Sequence, residues 1–188
     1  MHEIRWHGRG GQGAVTSSKI LAAAAYRSGF AGVTAAPTFG AERRGAPVTA
    51  STRFDNTPIR VYSQVIEPNV VVVLDESLLK VANATAGLRP GGVIIVNTRR
   101  PVSELGLGGN LHVVTSDVTG ASESVGLIVG GEPMVNTAIL GSIARATGLI
   151  TMDSIRDSIN DAFAPGPAAK NFAAAQIAYD NTEAGEMA

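Results

Sequence analysis

The chain has 188 residues, 45% of them apolar and 16% charged, a net charge of −1 and no cysteine, which fits one domain with a sizeable core. The near-neutral balance argues against a binder of nucleic acid or anionic membrane, since both need a basic surplus, and no run of ~18 apolar residues suits a membrane span. Without thiols the chain cannot hold an iron–sulfur cluster by the usual ligands, form a disulfide or use a cysteine nucleophile, so any redox centre must lie on another chain.

Residues 3–6 form a short first strand that leads into His7-Gly8-Arg9-Gly10-Gly11-Gln12-Gly13-Ala14. Gly8, Gly10 and Gly13 satisfy the G-x-G-x-x-G spacing, in which residues without Cβ take positive φ and aim free N–H groups at an anion on a helix N-terminus. The same turn also serves merely to pack a helix on a sheet, so a phosphate cradle and a packing device both stay open. A helix follows from Ala14 through Ser28, with Val15, Ile20, Leu21 and alanines 22–25 as its small-residue face and Gly29 at its C-terminal cap. A strand from Val33 to Ala36 ends at Pro37. A nicotinamide-binding unit places an Asp or Glu near this point for the ribose hydroxyls; here stand Thr34, Ala35 and Ala36, and the first acid after the loop is Glu42.

Thr38 to Pro47 is a loop with an acid–base triplet, Glu42-Arg43-Arg44, beside Gly40 and Gly45. It reads either as a solvated turn or as a site, because guanidinium groups grip phosphate or carboxylate bidentately. Val48 to Phe54 and Ile59 to Val65 alternate apolar and polar residues around Asp55-Asn56-Thr57-Pro58, which predicts a β-hairpin. Val70 to Leu74 is β-branched and reads as a strand buried on both faces. Asp75, Glu76 and Ser77 follow at its carboxyl end, where ligands gather in open α/β sheets, although Asp75 also suits the cap of a helix over 77–86. Further strands are expected at 93–96 and 111–114 with an exposed loop at 98–110 between them. Helices are expected over 117–124, 134–147, from Thr151 to before Pro165, and over 168–179, with a frayed polar tail from Asp180 to Ala188. The fold class is α/β: a single-domain, mostly parallel, doubly wound, Rossmann-like sheet with a β-hairpin insertion and a helical C-terminus over residues 1–180, then a tail at 181–188.

Self-contained chemistry is missing. His2, His7 and His112 fit no metal-ligand spacing, neither G-x-S-x-G nor G-K-[ST] occurs, and Tyr26-Arg27-Ser28 lacks the spaced Tyr and Lys of a short-chain dehydrogenase. Isolated histidines are ordinary packed or surface residues; only His7, which touches the glycine loop, merits watching. The low charged fraction, against a usual ~25%, points to surface hidden by partners, as in a subunit. A polar start at His2, Glu3 and Arg5 is not a signal peptide, so a cytoplasmic location is expected.

Three stretches in this order, Gly8-Arg9-Gly10-Gly11-Gln12-Gly13, Phe39 to Pro47 and Val135-Asn136-Thr137-Ala138-Ile139-Leu140-Gly141, resemble the gamma subunit or gamma domain of 2-oxoacid:ferredoxin oxidoreductases, the family of pyruvate synthase. The likeness spans about residues 3–180. One departure is Ala41, where the family commonly has proline, and Arg43 to Pro47 looks closer to pyruvate and branched-chain or aryl oxoacid members than to oxoglutarate-type subunits. The resemblance implies a complex of alpha, beta, gamma and ferredoxin-like delta subunits. Thiamine diphosphate with magnesium and [4Fe-4S] clusters would sit on the partners, and a 2-oxoacid would be oxidatively decarboxylated to an acyl-CoA, with electrons passed to ferredoxin or another acceptor. It implies that this chain holds no catalytic residue or metal and helps bind coenzyme A. The residues suited to that ligand's phosphates are Gly8, Arg9, Gly10, Gly11, Gln12 and Gly13 in the loop, with Glu42, Arg43 and Arg44, and Asn136 in the third stretch. A purely structural subunit of the same complex and an independent NAD(P)-binding dehydrogenase are the alternatives.

Overall fold

The computed structural model describes residues 1–38, 43–107 and 111–184. In chain order its first half holds β1 (His2–Arg9), α1 (Ala14–Arg27), β2 (Gly32–Pro37), β3 (Pro47–Asp55), β4 (Val70–Val73) and α2 (Leu78–Val81). The second half holds β5 (Val93–Asn97), β6 (His112–Ser116), α3 (Val118–Ser124), β7 (Ile128–Val129), β8 (Glu132–Pro133), α4 (Val135–Thr147), α5 (Met152–Ala162), α6 (Pro165–Asp180) and β9 (Glu183–Ala184).

Seven strands make one sheet in the order β2-β3-β1-β4-β5-β6-β9. Its centre is parallel: β1 pairs with β4, β4 with β5 and β5 with β6. The continuous valines of β4 explain this position, since Val70 and Val72 enter one apolar cluster while Val71 and Val73 enter another on the opposite face. The two faces are covered unequally. Side chains from α1, α3, α4, α5 and α6 join the cluster that holds Ile4, Trp6 and Val72, whereas the other face has the short α2, with Leu78, and leucines from loops, such as Leu88 and Leu107.

The helical side closes tightly because small residues meet there. A Cβ added to Gly141 on α4 would stand 1.8 Å from the Ala175 carbonyl oxygen of α6, and the Thr137 hydroxyl donates to Asn171 across the same contact. The third sequence stretch is therefore a helix-packing face.

The expected hairpin is corrected by the pairing. β3 spends one edge on β1 and the other on β2, both antiparallel, so no edge is left for residues 59–65, which form no strand. Long-range pairing with β1 displaces the local hairpin. The antiparallel unit is instead β2–β3, joined through residues 38–46. Three boundaries differ for local reasons. α2 stops at Val81 because Asn83 takes φ 44° and Gly87 φ 71°. α6 starts at Pro165 rather than 168, since proline suits a first helical turn that needs no N–H donor. At the C-terminus Glu183 pairs with Thr115, giving β6 an antiparallel edge strand where fraying was expected.

Candidate functional site

The glycine loop begins where β1 leaves the sheet beside the carboxyl end of β4, the position at which open α/β sheets form crevices. Gly10 extends β1 by one step and bonds to the arginine turn. Its N–H donates to the Ala46 carbonyl at 2.8 Å, and the Gly45 N–H donates back to the Gly10 carbonyl at 3.0 Å. The turn is closed by the Ala46 N–H donating to the Arg43 carbonyl at 3.0 Å. The two stretches that sequence reading singled out are thus joined by backbone hydrogen bonds.

Arg9 carries the junction further. Its Nε donates to Asp75 Oδ2 at 2.9 Å, one Nη to the Gly45 carbonyl at 2.9 Å, and the other to Ser77 Oγ at 2.6 Å. Gln12 folds back, accepting the Arg9 N–H on Oε1 at 2.8 Å. Asp75 accepts from the Ser77 N–H at 3.0 Å and from the Ser77 hydroxyl. Burial pushes the Asp75 carboxyl up, but the bonds from Ser77 and Arg9 outweigh it and hold the group below the ordinary carboxylate value. Asp75 thus closes a turn onto Ser77 and anchors Arg9 at the strand end, while the N-cap of α2 is Ser77 and not Asp75.

A cleft of about 830 Å³ opens at this junction, lined by Gly10, Gly11, Gln12, Arg43, Arg44 and Asp75 together with the β7–β8 hairpin. Gly11 takes φ 98°, and among the described residues a Cβ there would meet nothing nearer than Arg44 Cγ at 4.0 Å, which leaves room for a ligand beside this backbone. The hairpin was missed in the sequence. Its signal was Gly130-Gly131 between Ile128-Val129 and Glu132-Pro133, a two-residue turn that needs the positive φ both glycines show.

The remaining expected residues lie elsewhere. A Cβ on Gly8 would meet Leu74 Cδ1 at 3.1 Å and Ala14 Cβ at 3.2 Å, and one on Gly13 would stand 2.7 Å from Asn136 Nδ2. Asn136 is buried; its carbonyl accepts from Ser17 Oγ at 2.8 Å and its Oδ1 from the Thr137 N–H at 2.9 Å. Gly8, Gly13 and Asn136 thus lock α1 against β4 and α4 behind the cleft. Glu42, with Phe39, Gly40 and Ala41, lies outside the described residues.

His7 belongs to a second cleft, of about 490 Å³, which it lines with Arg5. Its Nε2 accepts from Arg5 Nε at 3.1 Å, while its Nδ1 is buried with no hydrogen-bond partner among the described residues. Burial, reinforced by the Arg5 charge, pushes the imidazole down to about 4, so it is neutral at pH 7. Among the described residues no group of His, Asp or Glu side chains could hold a metal ion, and no helix is long and apolar enough to cross a membrane.

The family model for pyruvate ferredoxin/flavodoxin oxidoreductases matches residues 3–181. The chain belongs to that family. Among pyruvate ferredoxin/flavodoxin oxidoreductase relatives, the common gamma subunit of the pyruvate/ketoisovalerate oxidoreductases of Thermococcus kodakarensis is 48% identical, the match covering 100% of both chains. Pyruvate synthase subunit PorC of Methanothermobacter thermautotrophicus is 45% identical over 97% of each chain. The crystal structure of the PORC subunit of pyruvate oxidoreductase from Thermotoga maritima superposes with a TM-score of 0.81 at 34% identity, covering 98% of both chains. A 2-oxoglutarate:ferredoxin oxidoreductase from Magnetococcus marinus, solved with 2-oxoglutarate, coenzyme A and succinyl-CoA bound, shares the fold at TM-score 0.72 and 19% identity; the match covers 93% of this chain and 30% of that one. This chain is accordingly a gamma-type member of an oxidoreductase family, and the expected α/β fold and family resemblance both hold.

Proposed function

We propose that this chain is the gamma subunit of a multi-subunit 2-oxoacid:acceptor oxidoreductase that converts pyruvate or a branched-chain or aryl 2-oxoacid to its acyl-CoA, and that the cleft at Gly10 supplies part of the coenzyme A site. The alpha, beta and ferredoxin-like delta partners would carry thiamine diphosphate and the iron–sulfur clusters; a chain without cysteine leaves the clusters to them. Family membership sets aside an independent NAD(P)-dependent dehydrogenase.

The observation that carries the ligand reading is the backbone bonding of the Arg43–Ala46 turn to Gly10 at the mouth of an open cleft. Coenzyme A carries a diphosphate and a 3′-phosphate, and the donor set present fits them at one end of the cleft. Arg43 and Arg44 line it, and guanidinium forks suit phosphate oxygens. Arg9 is committed to Asp75, Ser77 and Gly45 and is a positioning residue. Asp75 and Glu132 line the same cleft and repel phosphate, which favours the arginine turn for the anionic end. Coenzyme A, when bound, supplies the thiol that takes the acyl group; this chain's residues bind and orient it.

A purely structural role is supported by Gly8 and Gly13, whose missing Cβ atoms make room for protein atoms. Arg43→Ala and Arg44→Ala in the assembled complex separate the two. Loss of one charge-assisted contact of roughly 1.5–3 kcal/mol should weaken coenzyme A binding about tenfold to a hundredfold at unchanged subunit stoichiometry. Unchanged affinity in an intact complex removes the ligand role, and dissociation with unchanged affinity in the residual complex supports packing.

A further inference from the structure

The helix-poor face of the sheet carries a feature that the coenzyme A cleft does not use. Residues 59–65 have a strand-like sequence and no strand partner, and they cross the second cleft, whose lining includes Tyr62 and Ile66. Tyr62 is 87% exposed and Ile66 73%. Val61 and Val81, each one residue from the lining residues Tyr62 and Ala82, are also exposed. Scattered apolar residues on a surface mean little, but four large ones around one cleft mark a contact surface.

The cleft also holds a positive charge that no carboxylate among the described residues compensates. Arg5 donates from Nε to His7 Nε2, from one Nη to the Ile66 carbonyl at 3.3 Å, and from the other to the carbonyls of Ala84, at 3.1 Å, and Ala86. These partners satisfy donors without neutralising the guanidinium. Among the described residues no carboxylate lines this cleft. His7 adds no counter-charge: burial first, and the Arg5 cation beside it second, keep its imidazole neutral. By contrast Arg53, the one buried arginine among the described residues, pairs with Glu3 at 2.8 Å.

We infer that the cleft at Arg5, Tyr62 and Ile66 is the docking site for an extended segment of another subunit of the complex, one that brings a carboxylate to Arg5 and lays apolar side chains on Tyr62 and Ile66. Charge complementarity selects an acidic segment, since an uncompensated guanidinium attracts a carboxylate, and the exposed apolar rim suits a polypeptide. Residues 59–66 then have the partner that their sequence pattern calls for. This inference rests on the reading of the chain as a subunit.

The test uses the chain co-expressed with the other subunits of its complex. Tyr62→Asp/Ile66→Asp replaces two exposed side chains, so the isolated variant is expected to melt within a few degrees of wild type yet to be recovered in the complex at least tenfold less. A photo-crosslinking amino acid at position 62 of the assembled complex should yield an adduct with an Asp- or Glu-containing peptide of another subunit, a readout that does not depend on how the double variant folds. Incorporation of the double variant at wild-type stoichiometry, or an adduct only with a second copy of this chain, overturns the inference. If the wild-type chain joins no complex, the subunit reading falls and this inference with it; if wild type and variant join equally, only this inference falls.

Discussion

Gly10 lies so close to Arg43 that a methyl group added to it would stand 2.2 Å from the Arg43 carbonyl oxygen. The glycine that looks like part of a phosphate loop is thus spent on letting the arginine turn pack against the end of β1. Gly10→Ala should push that turn away, costing roughly 1–3 kcal/mol in urea denaturation and weakening any ligand held by Arg43 or Arg44. Denaturation unchanged from wild type would show that the turn moves aside freely.

Arg9 joins three segments through Asp75, Ser77 and Gly45. The Arg9–Asp75 pair is about a quarter to a third exposed, at 30% and 26%, so solvent screening reduces its worth. Arg9→Ala is expected to cost about 1–2 kcal/mol of stability, and Arg9→Lys should recover only part, because an ammonium has no fork to span three acceptors. Full recovery by lysine would mean that charge alone matters there.

His7 makes stability depend on pH. Its folded value, about 4, lies below its ordinary 6.5, so the unfolded chain binds the proton more readily. Stability is full above pH 6.5 and is lost as pH falls from 6.5 towards 4, by about 3 kcal/mol in total for this group. His7→Gln keeps an acceptor for Arg5 Nε and removes the titration. Its stability should fall less between pH 6.5 and 4, with a remainder from His2, whose value is also lowered, first by burial. An identical pH profile for His7→Gln and wild type would contradict this.

Two glycines should respond oppositely to alanine. At Gly141 the added Cβ meets the Ala175 carbonyl oxygen at 1.8 Å, so α4 and α6 must part, at about 3 kcal/mol or more. At Gly166, in the first turn of α6, none of the described residues would lie within 4 Å of an added Cβ, and alanine should stabilise by about 0.5–1 kcal/mol by restricting the unfolded chain. Comparing the two variants by chemical denaturation checks both signs.

Much of the molecule is legible without coordinates. The valines of β4 announce a central strand, Gly148 stops α4 where the pattern ends, and Asp75 stands at a strand end where sites form. The glycine loop and the arginine turn were read for one ligand; backbone hydrogen bonds from Gly10 bring the middle of the loop and the turn to one cleft, while Gly8 and Gly13 go to helix packing. Asn136 did not follow: its motif belongs to helix packing, which the residue types alone do not distinguish from ligand binding. The β7–β8 hairpin escaped because two-residue strands carry too little periodicity to register.

The sequence by itself determined the types of the longer elements, the α/β class and the lack of any thiol to carry redox chemistry, because periodicity, glycine stops and composition are local or additive properties. Tertiary structure alone decided that β3 pairs with β1 and β2 rather than with residues 59–65, that Arg43 fills the space left by Gly10, and that Arg5 and His7 share a cleft with Tyr62. Each of these is a contact between residues far apart in the chain. Which strand edge is taken, and which atoms occupy a missing Cβ, depends on competition among distant partners that no local pattern records.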